Sequence, residues 1–172
     1  IDYLTSDTVW SLREQPKNLL ILGGGPIGAE MAQAFARLGS KVTMIERGDQ
    51  ILTREDSEVI ELVTRKFSED GIRLLTGHQA KEVKTFGSNK LLVCEHKGQD
   101  VEVPFDQIII ALGRAANISG FGLEELGVTL TDRNTIASDP LQQTNVKGIY
   151  VCGDVTGPYQ FTHYAAHQAW YA

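Results

Sequence analysis

Short continuous apolar runs alternate with helical periodicities along the first part of the chain. Asn18-Leu19-Leu20-Ile21-Leu22 is such a run, the pattern of a strand covered on both faces in a parallel sheet. Beyond Pro26 the apolar residues Ile27, Met31, Ala34, Phe35 and Leu38 recur at helical spacing and predict one buried face, with Gly39 as the C-cap. Val42 to Glu46 reads as the second strand. Glu55 to Asp70 reads as a second helix with Val59, Ile60, Val63 and Phe67 on its apolar side. Before this β-α-β-α series lies a lead-in with a short helix expected over Asp7 to Arg13, capped by Thr5 or Ser6.

The texture changes after a third strand at Ile72 to Leu75. Ala80 to Phe86, Lys90 to His96 and Asp100 to Val103 are joined by Gly87-Ser88-Asn89 and Lys97-Gly98-Gln99, which predicts an antiparallel meander. A buried strand returns at Gln107 to Leu112, and Gly113-Arg114 closes it. Further on, a short helical piece is expected at Leu123 to Leu126. Weak strands are expected near Val128, Ile136 and Gly148 to Cys152, and a last helix from about Thr162.

Composition narrows the class of ligand. Apolar residues make up 42% of the 172, and 22 acidic against 16 basic residues leave a net charge of −6. Such a chain buries a core and offers no basic block for nucleic acid or an anionic membrane. A small-molecule ligand is therefore expected. No apolar run approaches the ~20 residues that span a bilayer and no signal-peptide layout opens the chain, so a cytoplasmic protein is expected. Cys94 and Cys152 stand apart in no CxxC or metal-ligand spacing, which predicts two reduced, buried thiols and no metal site. The start at Ile1 without Met and the stop inside a helix suggest an excised piece.

Gly23-Gly24-Gly25-Pro26-Ile27-Gly28 fits G-x-G-x-x-G where that motif has a mechanism, after a buried strand and opening a helix. Gly23 permits the tight turn, Gly25 lets the backbone approach a pyrophosphate, and Gly28 lets helix and strand pack closely. Free amides and partial positive charge at the helix start suit phosphates. Glu46 ends the second strand about 20 positions later, where an acid takes the ribose 2′-hydroxyl. That favours NAD, although Arg47 and Arg54 could attract the 2′-phosphate of NADP. Glu30, read from spacing alone, belongs to a solvated helix face with Gln33 and Arg37.

Ile21 to Glu30, with Gln33 to Thr43, resembles the nucleotide domain of the class I pyridine nucleotide-disulfide oxidoreductases, mercuric reductase and dihydrolipoamide dehydrogenase above all. Ala111-Leu112-Gly113-Arg114 with Asn117, and Gln143-Thr144 followed by Gly148 to Asp154, carry the resemblance over nearly the whole chain. The resemblance implies a Rossmann-like three-layer α/β domain with a β-meander over 1–113 and, over 114–172, the later part of a discontinuous FAD domain. It implies that Gly113 and Arg114 close over the nicotinamide nucleotide, and that Glu30 lies by the flavin N5. It also implies that Gly153 and Asp154 meet the FAD ribityl chain, and that the helix from Thr162 aims its start at the flavin.

The implied parent is a homodimer in which NAD(P)H reduces FAD and electrons pass to a disulfide or a metal ion. Departures are visible. Pro26 stands where some relatives carry a gating tyrosine, and Leu112 and Ala116 replace a Thr and a Pro. The first FAD fingerprint and the CxxxxC pair have no counterpart here. An NADH oxidase or ferredoxin reductase type of flavoenzyme and a non-catalytic NADH-binding module therefore stay open. A short-chain dehydrogenase would need a Tyr-x-x-x-Lys pair that the chain lacks.

Overall fold

A computed structural model describes all residues from Ile1 to Ala172, which fall into two compact units, Ile1–Gly113 and Arg114–Ala172. In the first, the elements run β1 (Asn18–Leu22), α1 (Pro26–Arg37), β2 (Lys41–Ile45), α2 (Ser57–Glu69), β3 (Arg73–Leu75), β4 (Gln79–Phe86), β5 (Asn89–His96), β6 (Gln99–Phe105) and β7 (Gln107–Ile110). Strands β3-β2-β1-β7 form a sheet whose recorded pairings are all parallel, and β4-β5-β6 form an antiparallel one. The strand order reverses at β1. Crossovers through helices carry the chain to β2 and β3 on one side, and the meander returns it to β7 on the other.

Alternation along β1 creates three layers, since successive side chains of a strand point to opposite faces. Leu19 and Ile21 join the helix-side core with Val42, Met44, Phe67 and Ile109. Leu20 joins Ile45, Ile108, Leu92, Cys94 and Phe105 in the core beneath the meander. The three-layer α/β arrangement expected from the sequence is the one observed.

The faces of the helices differ from the periodicity reading. In α1 the buried residues are Gly28, Ala29 and Ala32, while Leu38 is 69% exposed and Ala34 is exposed. Small side chains bring the helix close to the sheet, and Met31 and Phe35 of the expected face, half-buried, still pack against the same core. In α2 Ile60 and Phe67 are buried and Val59 is exposed.

Over Asp7 to Arg13 a single 3-10 turn, Val9–Ser11, replaces the expected helix. Thr5 Oγ1 accepts the Asp7 and Thr8 amides at 3.2 and 3.3 Å, and Thr8 Oγ1 accepts the Thr5 amide at 2.9 Å. These side-chain bonds offer the backbone a local alternative to a helical ladder. Upstream, the Leu4 amide donates to Ile108 and its carbonyl accepts from Ile110, each at 2.8 Å, so the lead-in lies along the free edge of β7.

The second unit is mostly turns. Residues 123–127 form a turn, the strands expected near Val128 and Ile136 reduce to one bridge between Leu130 and Ile136, and Gly148 to Cys152 contributes a bridge between Gln143 and Tyr150. A 3-10 turn, Gly153–Val155, precedes α3 (Thr162–Tyr171). Ile136 is the one large apolar side chain buried in this unit, too little apolar cover to order regular strands.

One of the two thiols departs from the expected burial. Cys94 is buried under the meander, whereas Cys152 is exposed. Burial also pushes the Cys94 thiol up, which further lowers its thiolate fraction. At pH 8 a chromogenic disulfide reagent should therefore titrate one thiol quickly in the native chain and two in denaturant. Cys152→Ser should abolish the fast phase, and a fast phase that survives it would contradict the burial of Cys94.

Candidate functional site

In an open parallel sheet, ligands meet the carboxyl ends of the strands where the strand order reverses. Here that point is the end of β1, occupied by Gly23 to Gly28. Gly23 has φ of +113°, and a Cβ on it would overlap the Ala111 backbone; a Cβ on Gly28 would overlap the Gly23 carbonyl oxygen. Both glycines are thus demanded by the protein's own backbone. Gly25 is different: its φ is −75° and a Cβ on it would meet nothing within 4 Å. The space beside Gly25 is open.

The helix then starts with Pro26 as its first residue, which has no amide to leave unpaired. The first helical bond runs from the Ala29 amide to the Gly25 carbonyl at 2.9 Å, so the Ile27 and Gly28 amides have no partner within the helix. Free donors, the positive end of the helix dipole and room for an approaching group coincide there.

Glu46, directly after β2, braces this turn. Its Oε2 accepts the Gly24 amide and its Oε1 accepts the Gly48 amide, each at 2.7 Å. One carboxylate ties the glycine turn to the loop after β2. That loop folds back, because the Leu52 amide donates to the Gly24 carbonyl at 2.8 Å and Ile51 is buried against Gly24. A carboxylate has about four acceptor sites, so two remain for donors from a ligand. Arg47 and Arg54 are exposed.

A second support holds the same loop from below. The Gly77 amide donates to the Gly48 carbonyl at 2.8 Å and the His78 amide to the Glu46 carbonyl at 3.0 Å. The rings of His78 and His96 stack with centroids 4.1 Å apart, and their Nδ1 atoms lie 2.6 Å from the Thr76 carbonyl and 2.9 Å from the Gly77 carbonyl. A carbonyl only accepts, so both imidazoles carry the Nδ1 proton. No feature of the sequence reading pointed to this pair or to Ile51 and Leu52.

Glu30 is exposed on α1 and joins no ion pair. Its neighbours on that face are engaged: Gln33 Nε2 and Arg37 Nε donate to Asp70 Oδ2 at 2.7 and 3.1 Å. Gly113 ends the first unit with φ of +141°.

Within the second unit, Arg114 Nε donates to Asp154 Oδ2 at 3.2 Å, a pairing the sequence reading did not include. Gly153 is buried and Asp154 half-buried, whereas Thr162 is exposed at the start of α3. Each unit also has an open cleft of about 410 Å³. The one in the first unit is lined by Asn18, Lys90 and Asp106, at the entry end of β1 and far along the strand from the glycine turn. No helix is long and apolar enough to cross a membrane.

A dihydrolipoyl dehydrogenase from Chlamydia pneumoniae is 37% identical over 165 residues, 96% of this chain and 35% of that protein. A mercuric reductase from Staphylococcus aureus is 33% identical over 168 residues, 98% of this chain and 31% of that protein. The Cu(II) complex of the HOCl-induced flavoprotein disulfide reductase RclA from Escherichia coli superimposes with a TM-score of 0.91 at 28% identity, covering 99% of this chain and 38% of the other. The chain thus spans about a third of the length of these proteins. Residues 1–169 match the family described as pyridine nucleotide-disulphide oxidoreductase. A glycine turn at the point of strand reversal, an acid at the end of the next strand and likeness over almost the whole length converge on one conclusion: the chain belongs to that family.

Proposed function

We propose that Ile1–Gly113 binds NADH for a flavin-dependent oxidoreductase, and that Arg114–Ala172 supplies part of the FAD site. The observation that carries the reading is the contrast among the glycines. Gly23 and Gly28 are explained by backbone contacts, but the emptiness beside Gly25 is explained by a ligand that comes within backbone distance. A pyrophosphate there takes the Ile27 and Gly28 amides, and the ribose hydroxyls donate to the two acceptor sites left on Glu46.

The same carboxylate argues for NAD over NADP. A 2′-phosphate has no proton to give it and adds like charge, whereas a 2′-hydroxyl donates. Arg47 and Arg54, both exposed, are the residues that would reverse the preference. In this reading Gly113 and Arg114 border the nicotinamide part, and Glu30, unpaired on α1, is the carboxylate that serves the flavin N5.

The residues of the second unit fit a flavin in part. Asp154 offers a partly exposed carboxylate beside the buried Gly153, suited to hydroxyls of a ribityl chain, and α3 starts at Thr162 with no side-chain cap on its amides. A bound flavin would supply the hydride acceptor for reduced nicotinamide, and the protein's share is to bind and orient. The longer protein then passes electrons to a disulfide or a metal ion, as the names of the relatives suggest, and acts as a cytoplasmic homodimer.

Calorimetric titration with NADH and NADPH tests the nucleotide site. NADH should bind more tightly. Glu46→Ala should cost NADH about tenfold or more in affinity, the value of a charge-assisted hydrogen bond, and narrow its lead over NADPH. Arg47→Ala should weaken NADPH alone. Gly25→Ala should melt at the wild-type temperature yet lose NADH binding, whereas Gly28→Ala should be destabilised by about 2 kcal/mol or more through backbone overlap. A Gly25→Ala chain that binds NADH normally would sink the assignment.

A further inference from the structure

α3 buries a single residue, and that residue is polar. Gln168 is 6% exposed, while Phe161, Trp170 and Tyr171 at the ends of the helix are exposed. In a unit whose only large buried apolar side chain is Ile136, a leucine at position 168 would add apolar cover. An amide there adds a desolvation cost unless every polar atom is met.

Every polar atom is met, and the partners converge on one turn. Oε1 of Gln168 accepts the Gly153 amide at 2.8 Å. Nε2 donates to Thr156 Oγ1 and to Gln142 Oε1, both at 3.0 Å. The Thr156 hydroxyl passes its own proton to the Gly153 carbonyl at 2.9 Å. The Gly153 amide is thus held directly by the Gln168 side chain, and the Gly153 carbonyl by the Thr156 hydroxyl that Gln168 contacts together with the Thr156 amide at 3.0 Å.

The turn so held is one that glycine allows and other residues rarely adopt. Gly153 has φ of +81°, and a Cβ on it would lie 3.2 Å from the Ala165 methyl of α3. Gln142, the other partner of the amide, also has a positive φ, +63°. Asp154 follows Gly153 within the same 3-10 turn, so the backbone that Gln168 holds places its Cα and Cβ, while Arg114 Nε meets the carboxylate itself at 3.2 Å.

We propose that Gln168 is a positioning residue for Asp154, holding the Gly153–Thr156 turn so that the Asp154 carboxylate is presented to the flavin ribityl hydroxyls. This rests on the reading of Asp154 as a flavin ligand. Gln168 itself touches no cofactor. Its effect passes through the Gly153 amide and the Thr156 hydroxyl.

The test is a double-mutant cycle in the flavin-loaded full-length protein, read as FAD affinity on reconstitution, flavin midpoint potential and amide hydrogen exchange over Gly153 to Thr156. Gln168→Leu should weaken FAD binding about tenfold, shift the potential and speed exchange across the turn. Asp154→Ala should weaken FAD similarly without speeding exchange. The double variant should bind FAD no worse than Asp154→Ala alone, because one residue acts through the other. Gln168→Glu should restore part of the affinity, since a carboxylate still accepts the Gly153 amide once the Gln142 amide turns to donate, but it has no donor for Thr156 Oγ1.

If Gln168→Leu does not fold, Thr156→Val removes the relay and carries the same cycle. Unchanged FAD affinity in Asp154→Ala would overturn the reading beneath the proposal. A normal Asp154→Ala loss combined with additive effects in the double variant, or no rescue by Gln168→Glu, would overturn the proposal itself.

Discussion

The contact between the Gly28 position and the Gly23 carbonyl is the constraint on which the first unit depends. A helix that begins three residues after a buried strand, and packs back on that strand, brings two pieces of backbone together with no room for a side chain. Once that contact is made, the direction of α1 and its distance from the sheet follow. The small residues Ala29 and Ala32 continue the close approach along the helix. The Ile27 and Gly28 amides then face the end of β1 as a by-product of packing. Binding capacity here is the residue of a folding requirement, and Gly25 is the only glycine of the motif's three that packing does not explain.

Electrostatics at the site is likewise doubled with structure. The Glu46 carboxylate neutralises two backbone donors that the strand and turn leave unpaired, at 2.7 Å each. Charge-assisted bonds of this kind hold a side chain in one orientation before any ligand arrives. A ligand that meets it finds acceptors already aimed and pays little entropy to order them. The stacked imidazoles below the loop extend the same logic one layer further, since they fix the carbonyl of Gly77 while its amide holds Gly48.

Much of this was legible in the residues. Apolar runs gave the parallel strands, because a strand covered on both faces has no polar alternation to confuse it, and hairpin turn residues gave the meander. The glycine spacing and Glu46 located the turn. What periodicity could not reveal is which face of a helix is closest to the sheet when small residues do the packing: Ala29 and Ala32 carry little hydrophobic signal, whereas Leu38 carries much and is exposed. The turn-rich second unit was over-read as strands because Val, Ile and Tyr near 128, 136 and 150 favour extended backbone, yet only single bridges form. Gln168 had no signal at all. A glutamine among alanines in a helix reads as solvent-facing, and only the positive-φ turn at Gly153 gives it a reason to be inside.

The edges of the two sheets share a property that concerns solubility. The Leu4 strap occupies the free side of β7, which leaves β3, three residues long, as the open edge of the parallel sheet. In the antiparallel sheet one outer strand carries a bulge between Ala80 and Glu82, and the other contains Pro104 among Asp100 and Glu102. Short strands, bulges, proline and charge are the devices that deny a neighbouring chain a ladder to extend. The flat, templating growth that unguarded strands invite is thus discouraged at every edge, which shifts the balance of any self-association of this chain toward side-chain contact and away from backbone pairing.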